Sequence, residues 1–239
     1  MKSIDKIICQ EINPFDRESL VPGNFWEEQQ EAAFAVNSIH EQEIKQIEVI
    51  LNSVQKDALS RTILLTGDSG SGKSYLLGRL KRNLNDRAFF AYIGPWPDSK
   101  YMWRHTLRQT VDSLVCKPEG QQESQLLLWL KGLSAFRSQG LAKKILGERG
   151  LFIKNLRDTY PTGIYNAKQF FGVLYDLTNP DLYNLACDWL RGDDLSEEDL
   201  KKLKVKKSID SEEAAQGIVG NFGKISVDNR PIVLCFDQL

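Results

Sequence analysis

Eight consecutive residues, Gly67-Asp68-Ser69-Gly70-Ser71-Gly72-Lys73-Ser74, carry the clearest chemistry in this chain. They fit G-x-x-x-x-G-K-[ST], the pattern of a phosphate-binding loop, or P-loop. Gly67, Gly70 and Gly72 let the backbone curl until successive N–H groups point into one concavity at the positive end of a helix dipole. That concavity suits a polyphosphate. Lys73 is placed to reach β- and γ-phosphate oxygens, and the Ser74 hydroxyl to ligate Mg²⁺. Asp68 and Ser69 are the variable inner positions, and an acid there is unusual, although its side chain can point outward. Tyr75 completes the expected contact set, 67–75. The motif alone does not separate ATP from GTP.

A second acidic signal lies far along the chain. Pro231-Ile232-Val233-Leu234-Cys235-Phe236-Asp237 reads as a buried strand ending in a carboxylate. Apolar residues followed by Asp form a Walker B pattern, in which Asp237 would hold Mg²⁺ through water together with Ser74. Alone this is a weak signal; paired with a P-loop it is a fairly strong one. Gln238 follows, where an acid that polarises water would normally stand. An amide orients water but accepts a proton far less readily than a carboxylate.

The elements around these residues must bring them together. Arg61–Thr66 reads as a short buried strand leading into the loop. From Tyr75 to Leu84, Leu76, Leu77, Leu80 and Leu84 share one helical face. Ala88–Ile93 reads as the next strand, closed by Gly94-Pro95-Trp96-Pro97, so a βαβ unit and a parallel sheet are expected. Upstream, Asn24 is a plausible N-cap for a helix over 25–37. Ser38-Ile39-His40-Glu41 reads as a capping box opening a helix to Ala58. Downstream the pattern is almost wholly helical, with helices predicted over 101–116, 123–137, 141–157, 167–177, 181–190, 196–204 and 211–222. The fold class read from this is α/β, a P-loop NTPase with a parallel sheet flanked by helices and a large helical insertion before the Walker B strand. The expected divisions are 1–37, an irregular segment and helix; 38–100, the first part of the nucleotide-binding core; 101–225, the helical insertion; and 226–239, the Walker B strand, with the chain truncated after it.

Composition sets the outer limits. The chain has 239 residues, 41% hydrophobic and 26% charged, with a formal net charge of −1. Nothing in that balance draws the whole protein to nucleic acid, so such contact would need a local patch. Two candidate patches exist. Trp96, Tyr101 and Trp103 lie beside Arg104, His105 and Arg108, which reads as a helix packing its rings, with base stacking as the sharper alternative. Lys201, Lys202, Lys204, Lys206 and Lys207 follow a run of acids that largely neutralises them. The cysteines, Cys9, Cys116, Cys187 and Cys235, are scattered without a zinc spacing, and reduced cytosolic thiols are expected. With no signal-peptide pattern and no membrane-length apolar run, a cytoplasmic location and no membrane partner are expected.

The P-loop, the helix just before it and the Walker B strand resemble the AAA+ class of P-loop ATPases. The Ser38–Ala58 helix running into Thr62–Gly67 looks like the origin-recognition branch and its bacterial relatives. Trp189-Leu190-Arg191-Gly192 is similar to a segment of the ATP-binding proteins of bacterial phage-exclusion (BREX-type) systems. The resemblance implies ATP and Mg²⁺ as cofactors, with Lys73, Asp237 and Gln238 in catalytic positions and Ser74 and Asp237 on the metal. It implies a module of a larger bacterial ATPase that uses bound Mg-ATP for assembly or conformational change in defence or DNA-associated work. A homo-oligomer or protein partners through later regions are expected, and nucleic acid is a further candidate. His40 reads as a polar surface residue; the alternative is contact with the base, which the helix before the P-loop borders in related folds. Gln238 departs from the class and makes hydrolysis doubtful, favouring as an alternative a nucleotide-held signalling switch of the STAND kind. A purely structural loop remains the third reading.

Overall fold

The computed structural model describes residues 25–26, 40–57, 59–118, 120–133, 149–225 and 230–237. The helix expected over 25–37 lies outside them except for Phe25 and Trp26, as does Ser38 of the expected capping box. The first described helix, α1 (Glu41–Asp57), starts after His40, which stands in the left-handed region at φ 58°. The helix α2 (Lys73–Leu84) leaves the glycine loop directly, two residues earlier than the Tyr75 start expected from its leucines. Its buried Leu76, Leu77, Leu80 and Leu84 form the predicted face.

Strand β1 (Phe89–Ile93) pairs with β2 (Ile232–Phe236), in parallel, in the register Phe89↔Ile232 through Ile93↔Phe236. Successive side chains of a strand point to opposite faces, and that alternation sorts the core. Phe89 and Ile232 face a large helical cluster, whereas Phe90, Tyr92, Val233 and Cys235 face a smaller one shared with α1 and α2. Parallel strands need a crossover. Here it is a helical body: α3 (Met102–Val115, after a 3₁₀ turn at Ser99–Tyr101), α4 (Gln125–Gly132), α5 (Arg149–Thr159), α6 (Ala167–Asp176), α7 (Tyr183–Arg191), α8 (Glu197–Leu203) and α9 (Glu212–Ile225). These match the predicted helices closely, with 134–148 outside the described residues.

Local chemistry explains the helix ends. Ser124 and Ser196 each accept a hydrogen bond from the backbone N–H three residues on, capping α4 and α8. The first turn of α3 has no side-chain cap of its own. Instead the Glu212 carboxylate of α9 accepts from the N–H groups of Trp103 (2.7 Å) and Arg104 (3.1 Å). An acid at that position also opposes the helix dipole favourably. Gly192 closes α7 in the left-handed conformation, φ 78°. Its neighbours in the Trp189–Gly192 segment are structural too. Trp189 is buried and donates from Nε1 to the Lys207 carbonyl (3.0 Å), while Arg191 bonds Asp112 of α3 (2.6 Å) and Asp188 (2.9 Å).

One expectation fails. Arg61–Thr66 is no buried strand: it joins no ladder, and Ile63 and Leu64 are 41% and 81% exposed. A strand is completed by its neighbour, and among the described residues the only strand beside β2 is β1. The apolar run records a tendency to be buried in a sheet; it does not supply the partner. Only Leu65 of that run packs, against the smaller cluster.

Candidate functional site

The loop over 67–72 is shaped by glycine where glycine is needed. Gly70 and Gly72 take φ of 77° and 87°, a region that side-chain-bearing residues resist. Gly72 also has little room, because a Cβ there would stand 3.1 Å from Nε2 of His40. His40, half-buried, thus lies beside the loop. The turn closes with the Ser71 N–H donating to the Asp68 carbonyl (3.1 Å), and the helix begins with Leu76 N–H on the Gly72 carbonyl (2.8 Å). Asp68 and Ser69 are exposed.

Lys73 folds back on the loop. Its ammonium donates to the carbonyls of Gly67 and Asp68 at 2.9 Å each, and lies 3.4 Å from Ser71 Oγ. These carbonyl dipoles hold the cation at the loop; an anion in the concavity would compete for it with full negative charge, a stronger attraction. Tyr75 lies in the first turn of α2, with the guanidinium groups of Arg79 and Arg82 each 6.0 Å from its ring centre.

Asp237 arrives from the other end of the chain. Its N–H donates to the Ile93 carbonyl (3.0 Å), which continues the β1–β2 pairing by one bond and fixes the residue at the end of β2. Ser74 Oγ donates to Asp237 Oδ1 at 3.1 Å. Tyr92 Oη donates to Oδ2 at 2.9 Å. The carboxylate is 8% exposed and so meets two hydroxyl donors in a nearly dry place. Burial, reinforced by the Asp237 hydrogen bond, pushes the Tyr92 phenol above its ordinary range, which keeps it a donor. Burial pushes the neighbouring Cys235 thiol up to about 12, so this cysteine is an unreactive core residue.

The sequence brought forward Ser74 and Asp237 separately; the structure puts them in contact. It adds Tyr92, which the sequence presented only as a strand aromatic. Gln238 lies outside the described residues. The donor chemistry fits a magnesium nucleotide: Mg²⁺ takes hard oxygen ligands, one or two from protein and the rest from phosphate and water. Ser74 and Asp237 would hold the ion, and residues 67–75 the phosphates.

The family model of the AAA ATPase domain matches residues 39–239. The chain belongs to the AAA ATPase domain family. Membership implies nucleotide binding, and the P-loop α/β expectation agrees with the helix-rich structure and its small parallel sheet. The match names the AAA ATPase domain as a whole and no branch within it. No curated protein and no solved structure matches the chain.

In the other candidate surfaces of this AAA ATPase domain several side chains engage its own groups. Trp103 packs on the helical cluster, His105 Nε2 lies 3.0 Å from the Gly94 carbonyl, and Arg108 pairs with Asp193. In the lysine run, Lys201 lies 3.9 Å from Glu197, Lys202 pairs with Glu198 and Asp199 (3.1 Å each), and Lys207 pairs with Asp210 (3.2 Å). A cleft of about 460 Å³ on α9, bordered by Tyr165, Gly217 and Lys224, shares no residue with the loop. No helix among the described residues is long and apolar enough to cross a membrane.

Proposed function

We propose that this chain is an ATP-binding module that takes up Mg-ATP between residues 67–75 and Asp237 and uses the bound state for assembly or conformational change. The observation that carries this reading is the Ser74–Asp237 hydrogen bond, which joins a P-loop serine to a strand-end carboxylate 163 residues away. In this reading Lys73 leaves the carbonyls of Gly67 and Asp68 for the phosphates, and the loop N–H groups at the start of α2 bind them. Bound Mg²⁺ supplies charge neutralisation at the phosphates. Residues 38–100 and 226–239 form the nucleotide core and 101–225 the helical insertion, a division supported by the two hydrophobic clusters. A role in phage defence rests on the resemblance at Trp189–Gly192, residues that serve the packing of α7, and DNA-associated work rests on the likeness of the Ser38–Ala58 helix and Thr62–Gly67 to the origin-recognition branch.

Titration calorimetry with ATP and GTP, each with Mg²⁺ and with EDTA, tests the proposal. The expected result is saturable, Mg²⁺-strengthened binding of ATP. No binding of either nucleotide leaves the loop as a structural turn.

A second reading, a switch held by nucleotide with little hydrolysis, is favoured by Gln238. Gln238→Glu restores a proton acceptor at the expected water-orienting position, and ATP turnover is expected to rise by about 10²-fold. A phosphate-release assay measures it. An unchanged rate means that another group limits hydrolysis.

A further inference from the structure

We propose that Tyr92 is a positioning residue for the magnesium carboxylate: its phenol holds Asp237 so that Oδ1 faces Ser74. This rests on the nucleotide reading of the site. The arrangement is built by strand register. Tyr92 pairs with Cys235, and Asp237 lies two residues beyond Cys235 on the same face. A slip of one residue would turn Tyr92 to the opposite face and break the contact. The backbone of Tyr92 is itself fixed, because its N–H donates to Ser113 Oγ of α3 at 3.0 Å. Its ring packs against Phe25 with centroids 5.1 Å apart. The phenol is thus held from the strand, from the helix behind it and from the ring in front.

The two carboxylate oxygens consequently have different duties. Oδ2 is satisfied by the phenol (2.9 Å), and Oδ1 stays with the Ser74 hydroxyl (3.1 Å) on the loop side. Without the phenol the carboxylate loses its Oδ2 donor and is freer to rotate about its terminal torsion, which is intrinsically broad. Outer groups that orient a metal-bound carboxylate are typically worth 10- to 100-fold in metal affinity. Tyr92 sits 7% exposed, so phenylalanine preserves its shape and removes only the hydroxyl.

The test compares ATP binding by the whole chain in EDTA and across an Mg²⁺ series, for the parent, Tyr92→Phe, Asp237→Asn and the double variant. The expected result is that Tyr92→Phe raises the Mg²⁺ concentration for half-maximal effect by about 10-fold. ATP affinity in EDTA is expected to stay within about twofold of the parent. In the Asp237→Asn background the same change should add nothing, since the phenol acts through that carboxylate. A merely structural tyrosine would weaken binding in EDTA as well, and in both backgrounds. An unchanged Mg²⁺ response in Tyr92→Phe, or a loss that persists with Asp237→Asn, overturns this inference and leaves the nucleotide reading standing. A parent that binds no ATP under any condition overturns both.

Discussion

Replacing Lys73 with alanine is expected to lower ATP affinity by about 100-fold, equivalent to about 2.8 kcal/mol. A charge-assisted hydrogen bond contributes about 1.5–3 kcal/mol, and a lysine shared between two phosphate oxygens stands at the upper end. The fold should survive. In the structure the ammonium bonds only the loop's own carbonyls and Ser71, at a half-exposed position. Those contacts matter for the shape of residues 67–71 and touch neither hydrophobic cluster. A melting midpoint within about 3 °C of the parent is expected, since about 1 kcal/mol moves a domain of this size by 2–4 °C. Calorimetry and a thermal melt on the same sample read both quantities. If Lys73→Ala binds ATP as tightly as the parent, the site is elsewhere. If it unfolds, the lysine is a structural clasp for the loop, and the carbonyl contacts are its main purpose.

The second large effect is in the helical body. Arg149 donates from Nε and Nη2 to the two oxygens of Asp176, each at 3.0 Å, and from Nη2 to the Leu203 carbonyl at 2.7 Å. One guanidinium thereby ties the start of α5 to the ends of α6 and α8. Gly172 makes room for it, since a Cβ there would collide with the guanidinium. Asp176 is 2% exposed. Arg149→Met leaves that carboxylate buried and unpaired, a loss of about 3–5 kcal/mol, or about 6–20 °C in melting midpoint.

The loss should depend on pH, with a definite sign. Burial is the largest influence on Asp176 and raises its pKa, while Arg149 and Lys204 pull it down. Removing Arg149 removes the chief opposing influence, so the folded-state pKa rises further above the unfolded value. A group with a raised folded pKa contributes stability below its unfolded pKa and loses it as pH rises through the folded one. The deficit of Arg149→Met relative to the parent is therefore expected to be smaller at pH 5 than at pH 8. Melts of both proteins at the two pH values check it, and an equal deficit would mean that packing around the arginine stem dominates.

Periodicity located the helices because each buries a stripe, and stripes are written locally: Leu76, Leu77, Leu80 and Leu84 are all visible within one segment. Ser196 and the acids after it likewise marked the start of α8. The glycines and Lys73 were legible because a phosphate loop constrains residue type at fixed spacing. What the sequence could not show were relations between distant segments. Arg61–Thr66 has the apolar content of a strand, but pairing depends on a neighbour, and its exposed Leu64 shows that content alone does not make a ladder. Glu212 caps a helix by accepting from Trp103, 109 residues earlier, a contact no local rule could find. Tyr92 looked like one aromatic among several, and its relation to Asp237 follows only from the strand register. His40 needed the left-handed turn before α1 to be set against Gly72.

The separation of 163 residues from Ser74 to Asp237 also sets an order of events during synthesis. The glycine loop and α2 leave the ribosome early, while the carboxylate that meets Ser74 follows the whole helical body. At about 5–20 residues per second that interval is roughly 8–33 s. Closing so long a loop is entropically unfavourable until structure between its ends shortens it. The helices of the crossover fill that interval and draw β1 and the incoming β2 together. A nascent chain of this protein therefore carries the glycine loop well before the carboxylate that meets Ser74, and on the proposed reading ribosome-bound intermediates would meet nucleotide with the site still incomplete.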